Sequence, residues 1–96
     1  MALNFEWDQK KAIKNLKKHG IPFEEAETVF GDPFSLTLID PYHTVFEIRF
    51  ITIGMTLRRR LLVVVHSDRE GNLRLISSRE ATTQARIVYE EDKESE

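Results

Sequence analysis

The cationic side chains of this sequence gather where its β-type runs begin and end. Arg49 sits in FEIRFITI (Phe46–Ile53), two residues after Glu47 and on the same face by strand alternation. Arg58, Arg59 and Arg60 lead into RLLVVVH, His66 closes that run, Arg74 opens LRLISS (Leu73–Ser78), and Arg79 follows it. Arginine and histidine without a metal are a set that RNA cleavage near neutral pH can use. One group takes the proton of a 2′-hydroxyl, another protonates the leaving oxygen, and guanidinium stabilises charge on the phosphorane. Histidine suits proton transfer because it titrates near neutrality, and arginine suits phosphate because its fork is bidentate. Two plainer alternatives stand beside this one. Strand-end histidines and scattered arginines also serve as packing and solvated surface groups. Glu47 and Glu80 are either general bases or members of surface ion pairs.

Other chemistries find little footing. His19, His43 and His66 lack the close spacing of a metal-ligand motif, and there is no cysteine to supply a thiolate. The four glycines are scattered rather than grouped into a phosphate-binding loop. No nucleophile-elbow motif marks a serine. The expectation is a site with no metal and no cofactor.

The elements that must position these residues follow from periodicity. In DQKKAIKNLKKHG, Asp8 is a good N-cap and Gly20 a good C-terminal stop, with Lys17, Lys18 and His19 in the last turn. At about 100° per residue, Lys10, Lys11, Lys14, Lys17 and Lys18 share an arc of about 120°. Ala12, Ile13 and Leu16 form the opposing, apolar arc, so a helix buried on that side is expected. Phe23, Ala26 and Phe30 predict a second helix over Phe23–Phe30, stopped by Gly31-Asp32-Pro33. Four β-type runs come next: Phe34–Ile39, Phe46–Ile53, Arg60–His66 and Leu73–Ser78. The turns GMTLRR and SDREGN imply antiparallel neighbours. LLVVV is apolar on both sides, which predicts a central strand. Ala81, Ala85, Val88 and Tyr89 have the spacing of a final helix. The expected class is α+β: two N-terminal helices, a four-stranded, mainly antiparallel sheet and a C-terminal helix.

Ninety-six residues suffice for one small domain. The formal net charge of −2 conceals an uneven distribution. Residues 90–96 hold five acids and one lysine, leaving 13 Lys and Arg against 11 Asp and Glu in residues 1–89. The expectation is a single domain over residues 1–91 and a disordered acidic tail over 92–96. No apolar run approaches the roughly 20 residues that span a bilayer, and MALNFEWDQK has no signal-peptide core. A cytoplasmic protein without membrane contact is expected.

The blocks FEWD, K…N…KHG, FEEA and VFGDP resemble the opening of the BrnT family of bacterial type II toxins. The resemblance rests on Phe5, Trp7, Asp8, Lys11, Asn15, Lys18, His19, Gly20, Phe23, Glu25, Ala26, Val29, Phe30, Asp32 and Pro33. RFITIG, RLLVVVHSDR, LRLISSREAT and the closing YEE also look like the family, so the similarity spans about Phe5 to Glu91. It implies a RelE-like fold and a metal-independent ribonuclease that inhibits translation. It also implies a BrnA-like ribbon-helix-helix antitoxin, a complex of two toxins with two antitoxins, and DNA contact only through the antitoxin. Arg49, Arg79, His66, His19 and Glu47 are the catalytic candidates. Lys11, Lys18, Arg58, Arg59, Arg60 and Arg74 are the candidates for RNA contact. Trp7 is read as an anchor of the first helix before a base-stacking surface. The competing functions are a non-catalytic RNA-binding module and a protein-interaction module.

Overall fold

Asp8 and Gly20 bracket the first helix. In the computed structural model, which describes residues 3–42 and 47–95, α1 runs over Gln9–His19. The Asp8 carboxylate accepts the Lys10 N–H at 2.8 Å. Gly20 closes the helix at φ 71°, a left-handed conformation that suits a residue without Cβ. A two-residue strand, β1 (Phe5–Glu6), precedes the helix. After Pro22, α2 (Phe23–Ala26) tightens into a 3-10 helix over Glu27–Gly31, so the expected single helix is two short pieces. The Thr28 hydroxyl donates to the Glu25 carbonyl at 2.7 Å, a local bond that competes with regular α-helical pairing.

The sheet contains β2 (Leu36–Ile39), β3 (Phe50–Met55), β4 (Leu61–Arg69) and β5 (Asn72–Glu80) in addition to β1. Its order is β1-β5-β4-β3-β2, with β1 parallel to β5 and the other neighbours antiparallel. The four-stranded sheet expected from sequence is therefore a five-stranded mixed sheet. Two residues cannot display an alternation, and β1 exists only because β5 is there to receive it. The β3 run begins at Phe50, and Phe46 and His43 lie outside the described residues. Strands β4 and β5 consume most of SDREGN, leaving Glu70 and Gly71 as the turn, both with positive φ.

Strand β4 is central, as its doubly apolar sequence predicts. Leu62 and Val64 join Ile21, Phe23, Ala26, Val29 and Leu75 under α1 and α2. Leu61 and Val63 join Ile53 and Tyr89 on the opposite side, under α3 (Thr83–Glu94). These sides are termed the α1 face and the α3 face. Trp7 meets Phe23 edge-on at 5.7 Å and packs against the α1-face core. Helix α3 is capped by the Thr82 hydroxyl, which accepts the Ala85 N–H at 3.1 Å. It continues into the segment expected to be a tail, where the Lys93 ammonium lies 5.1 Å from the Phe34 ring centroid.

Helix α1 buries only the Ala12 edge of the arc its apolar residues define. Ile13 and Leu16 remain 48 % and 50 % exposed, whereas Asn15 is buried. The Asn15 amide donates to the Ser78 carbonyl at 2.9 Å and to the Ile21 carbonyl at 3.0 Å, and its oxygen accepts the Ser78 N–H at 2.9 Å. Strand β1 pairs with β5 only at Leu73 and Arg74, so the β5 edge at Ser78 lacks a strand neighbour there. One asparagine side chain substitutes for it. Among the described residues no helix is long and apolar enough to cross a membrane.

Candidate active site on the open sheet face

Strand register sets a polar row across the α3 face. Glu6 pairs with Arg74, and Arg74 pairs with Ser67. Continuing the β3–β4 register one residue past Phe50↔His66 places Arg49 beside Ser67. Glu47, two residues before Arg49, is tied to it by an ion pair. Helix α3 covers the part of this face around Ile53, Leu61 and Val63, while the polar row lies beside the β4–β5 turn.

The row is joined by long ion pairs rather than tight forks. Arg49 Nη2 lies 3.7 Å from Glu47 Oε2, and Arg74 Nη1 lies 3.6 Å from Glu6 Oε2. Asn72 also donates to Glu6 Oε1 at 3.2 Å. The Ser67 hydroxyl is the main influence holding the Glu47 carboxyl below the usual carboxylate range. Desolvation opposes it, and Arg49, Arg74 and Lys11 add to it. Ser67 is only 1 % exposed. Buried Ser67 Oγ and Arg49 Nε both have no well-formed partner among the described residues. The arrangement offers an ionised carboxylate between two guanidiniums on an open surface, with two polar atoms beneath it still uncommitted.

The other sequence-based candidates are dispersed. Arg79 shares the α3 face, opposite Val63, and is exposed. It lies roughly 16 Å along β5 from Arg74 at about 3.3 Å per residue. His66 points to the α1 face and is 6 % exposed. Its ring lies between Phe30 and Phe50, with centroids at 5.0 Å and 5.7 Å. Nε2 shares a 2.7 Å hydrogen bond with the Thr52 hydroxyl, which in turn meets Thr37 at 2.8 Å. Desolvation draws its pKa down to about 4, against a weaker upward pull from Asp68. The ring is therefore neutral near pH 7 and turned away from the guanidiniums. His19 stands in the last turn of α1, partly exposed.

Exposed Lys11 is near enough to act on Glu47, and Lys18 is exposed further along α1. Arg58 and Arg59 are exposed in the β3–β4 turn, at the end of the sheet away from Glu47. Arg60 is committed to the fold. Its guanidinium forks onto buried Glu25, with Nε to Oε2 at 2.9 Å and Nη2 to Oε1, and reaches Glu80 at 3.7 Å. Arg60, followed by Thr56, holds Glu25 below the ordinary carboxylate range despite its desolvation. A hollow lined by Thr28, Asp32, Met55 and Leu57 contains no cationic side chain. Asp32 there serves the fold, accepting Met55 N–H at 2.8 Å, Tyr89 O–H at 2.7 Å and Phe34 N–H at 2.9 Å. Among the described residues, no three His, Asp or Glu side chains are grouped to hold a metal ion.

Sequence reasoning missed Ser67 and Glu6. The available signal was the two-residue Glu70-Gly71 turn. Once that turn is fixed, Ser67 must face Arg74.

Comparison with known proteins gives a consistent picture. The family described as the ribonuclease toxin BrnT of type II toxin-antitoxin systems matches residues 7–84. The crystal structure of the Brucella abortus ribonuclease toxin BrnT superposes with a TM-score of 0.62 at 22 % identity. That likeness covers 85 % of this chain and 100 % of the Brucella chain, and it establishes a shared fold. No curated protein matches the sequence significantly.

Proposed function

The chain belongs to the BrnT family of type II toxin-antitoxin ribonuclease toxins, and from that membership we propose that it cleaves RNA at the Glu47–Arg49–Arg74 end of the α3 face. The observation that carries this reading is the ionised Glu47 carboxylate, flanked by Arg49 and Arg74 on an open surface. Glu47 takes the proton from a ribose 2′-hydroxyl. The guanidiniums stabilise the charge that builds on the phosphorane, supplying what a metal ion could otherwise provide. Water at the open face protonates the departing 5′ oxygen. Arg79 and Lys11 hold neighbouring phosphates, with Lys18, Arg58 and Arg59 as outer contacts. His66 supports the fold on the α1 face, and Arg60 anchors Glu25.

A BrnA-like ribbon-helix-helix antitoxin neutralises the protein in a complex of two toxins with two antitoxins, and DNA is reached only through that partner. RNA cleavage in the cytoplasm then inhibits translation.

The test uses antitoxin-free protein, end-labelled RNA and EDTA. The parent cuts, while Glu47→Gln and Arg49→Gln lose about a hundredfold or more in rate without unfolding. A parent that binds RNA but leaves it intact, with or without ribosomes, would be a non-catalytic RNA-binding module.

A further inference from the structure

The sheet treats its two edges differently. Strand β5 is finished by β1 and, at Ser78, by the Asn15 side chain. Strand β2 has no strand beyond it among the described residues. The 2.8 Å hydrogen bond from the Asp40 N–H to the Arg49 carbonyl fixes the alternation of the β2–β3 ladder. Leu36, Leu38 and Asp40 exchange bonds with β3, so the N–H and C=O groups of Thr37 and Ile39 point outward. Edge strands commonly carry a charge, a proline or a bulge that discourages further pairing. The β2 sequence LTLI has neither charge nor proline, and its register with β3 runs without a bulge. It also leaves Leu38 45 % and Ile39 64 % exposed, with Tyr42 exposed just beyond.

We propose that two copies of this chain associate through β2, the strands pairing antiparallel about a two-fold axis at Leu38. An occupant of this edge must bring an uncharged, extended segment with free backbone groups of its own, and a second copy brings one. The strand is its own complement. The axis sets Thr37 opposite Ile39 of the second copy, so each outward N–H meets an outward carbonyl. Leu38 faces Leu38 across a non-hydrogen-bonded position, where opposed side chains come closest. No like charges meet along the joint, because the strand carries none. Four residues span about 14 Å at about 3.4 Å per residue. With Leu38, Ile39 and Tyr42 covered on both copies, the joint falls at the small end of specific interfaces. The dimer is therefore reversible, with a Kd of about 10–100 μM. The axis is normal to the sheet, so the two copies form one continuous sheet with both α3 faces on the same side.

The chain has no cysteine, so a single introduced one reports the joint. Opposed non-hydrogen-bonded positions have Cα atoms about 4.5 Å apart, a separation a disulfide can bridge. In a glutathione redox buffer at about 100 μM protein, Leu38→Cys forms a disulfide-linked dimer about tenfold faster than Leu57→Cys, because pairing raises the local thiol concentration. Leu57 is the control because it is 85 % exposed in the β3–β4 turn, away from the joint. Sedimentation equilibrium gives the second readout. The mass of the parent rises from one chain toward two between about 5 and 500 μM. Leu38→Lys, which sets two ammonium groups face to face, stays at one chain. So does Ile39→Pro, which removes an outward N–H that β3 does not use. Unchanged thermal unfolding at low concentration shows that both variants are folded. A parent that remains one chain at the highest concentration overturns the proposal, as does equal cross-linking of the two cysteine variants. Association that survives Leu38→Lys also overturns it. A parent that is monomeric alone, but whose Thr37 and Ile39 amides become protected from exchange in the antitoxin complex, assigns the edge to the antitoxin and overturns self-pairing.

Discussion

On the α1 face, the buried polar groups Asn15, Glu25, Thr52 and His66 are each answered by a partner within the fold. At the open end of the α3 face, Arg49 Nε and Ser67 Oγ are buried and unanswered among the described residues, beside charges that pair at 3.6–3.7 Å. One sheet therefore carries a side closed by directed hydrogen bonds and an end where similar groups stay available. Ser78, opposite Val64, is the exception on the closed side: its hydroxyl has no partner among the described residues, while its backbone N–H donates to Asn15 and its carbonyl accepts from Asn15. The contrast separates polar groups that hold the structure from those that could act on a substrate. Substitutions on the closed side should cost stability, and substitutions at the open end should cost activity.

The largest loss is expected at Asn15. Asn15→Leu supplies apolar volume but removes three hydrogen bonds, stranding the Ser78 backbone and the Ile21 carbonyl in a buried setting. At about 1–3 kcal/mol per stranded group, with partial relaxation, the variant should lose about 4 kcal/mol in urea denaturation. A loss below about 1 kcal/mol would break the contrast, because the strongest feature of the closed side would then contribute little.

His66 sharpens the contrast through pH. Its folded-state pKa is depressed to about 4, so between there and about 6.5 the unfolded chain binds the additional proton. Stability is full above that window and falls as the pH drops through it, by an amount on the order of 3 kcal/mol. Glu25 and Asp32, whose carboxyls are also held low, continue the decline at more acidic pH. Denaturation midpoints of the parent should fall between pH 7 and 4.5. In His66→Gln that part of the slope should disappear. A parallel slope in both proteins would mean that the ring is hydrated in solution.

Gly54 is a smaller case. A Cβ there would sit 2.7 Å from Val29 Cγ1 and 3.2 Å from the Val29 carbonyl oxygen, where β3 passes under the 3-10 helix. Gly54→Ala should cost about 2 kcal/mol as the 3-10 helix is pushed outward, measured by thermal unfolding. The turn glycine Gly71 differs, since its constraint is a φ of 84° and no neighbour lies within 4 Å of a built Cβ.

Most of the closed side was legible in the sequence because its signals are local. Asp8 and Gly20 cap α1 as their types require, and LLVVV announced the strand that feeds both cores. What escaped depended on tertiary partners. Asn15 is a surface residue by type and is buried only because β5 lacks a neighbour at Ser78. Ile13 and Leu16 are apolar by type and stay half exposed for the same reason. The grouping of Glu47, Arg49 and Arg74 was half legible, since alternation placed the first two together and only the β4–β5 register adds the third. His66 has the chemistry for proton transfer, but a side chain's face follows from register rather than residue type.

Arg74→Gln should have the smallest effect on stability and is therefore the cleanest probe of the open end. Its pair with Glu6 spans 3.6 Å with both side chains partly exposed, a geometry worth about 0.5 kcal/mol. Urea midpoints should hardly move. If the proposed site is the one that cuts, RNA cleavage should nevertheless fall by about tenfold or more, because a guanidinium is lost and the neutral amide offers no compensating charge. The salt dependence of RNA binding should also flatten by about one phosphate contact. The opposite pattern, with lost stability and unchanged cleavage, would place Arg74 among the structural groups. The Glu6–Arg74–Ser67–Arg49 row would then belong to the closed, stabilising part of the sheet.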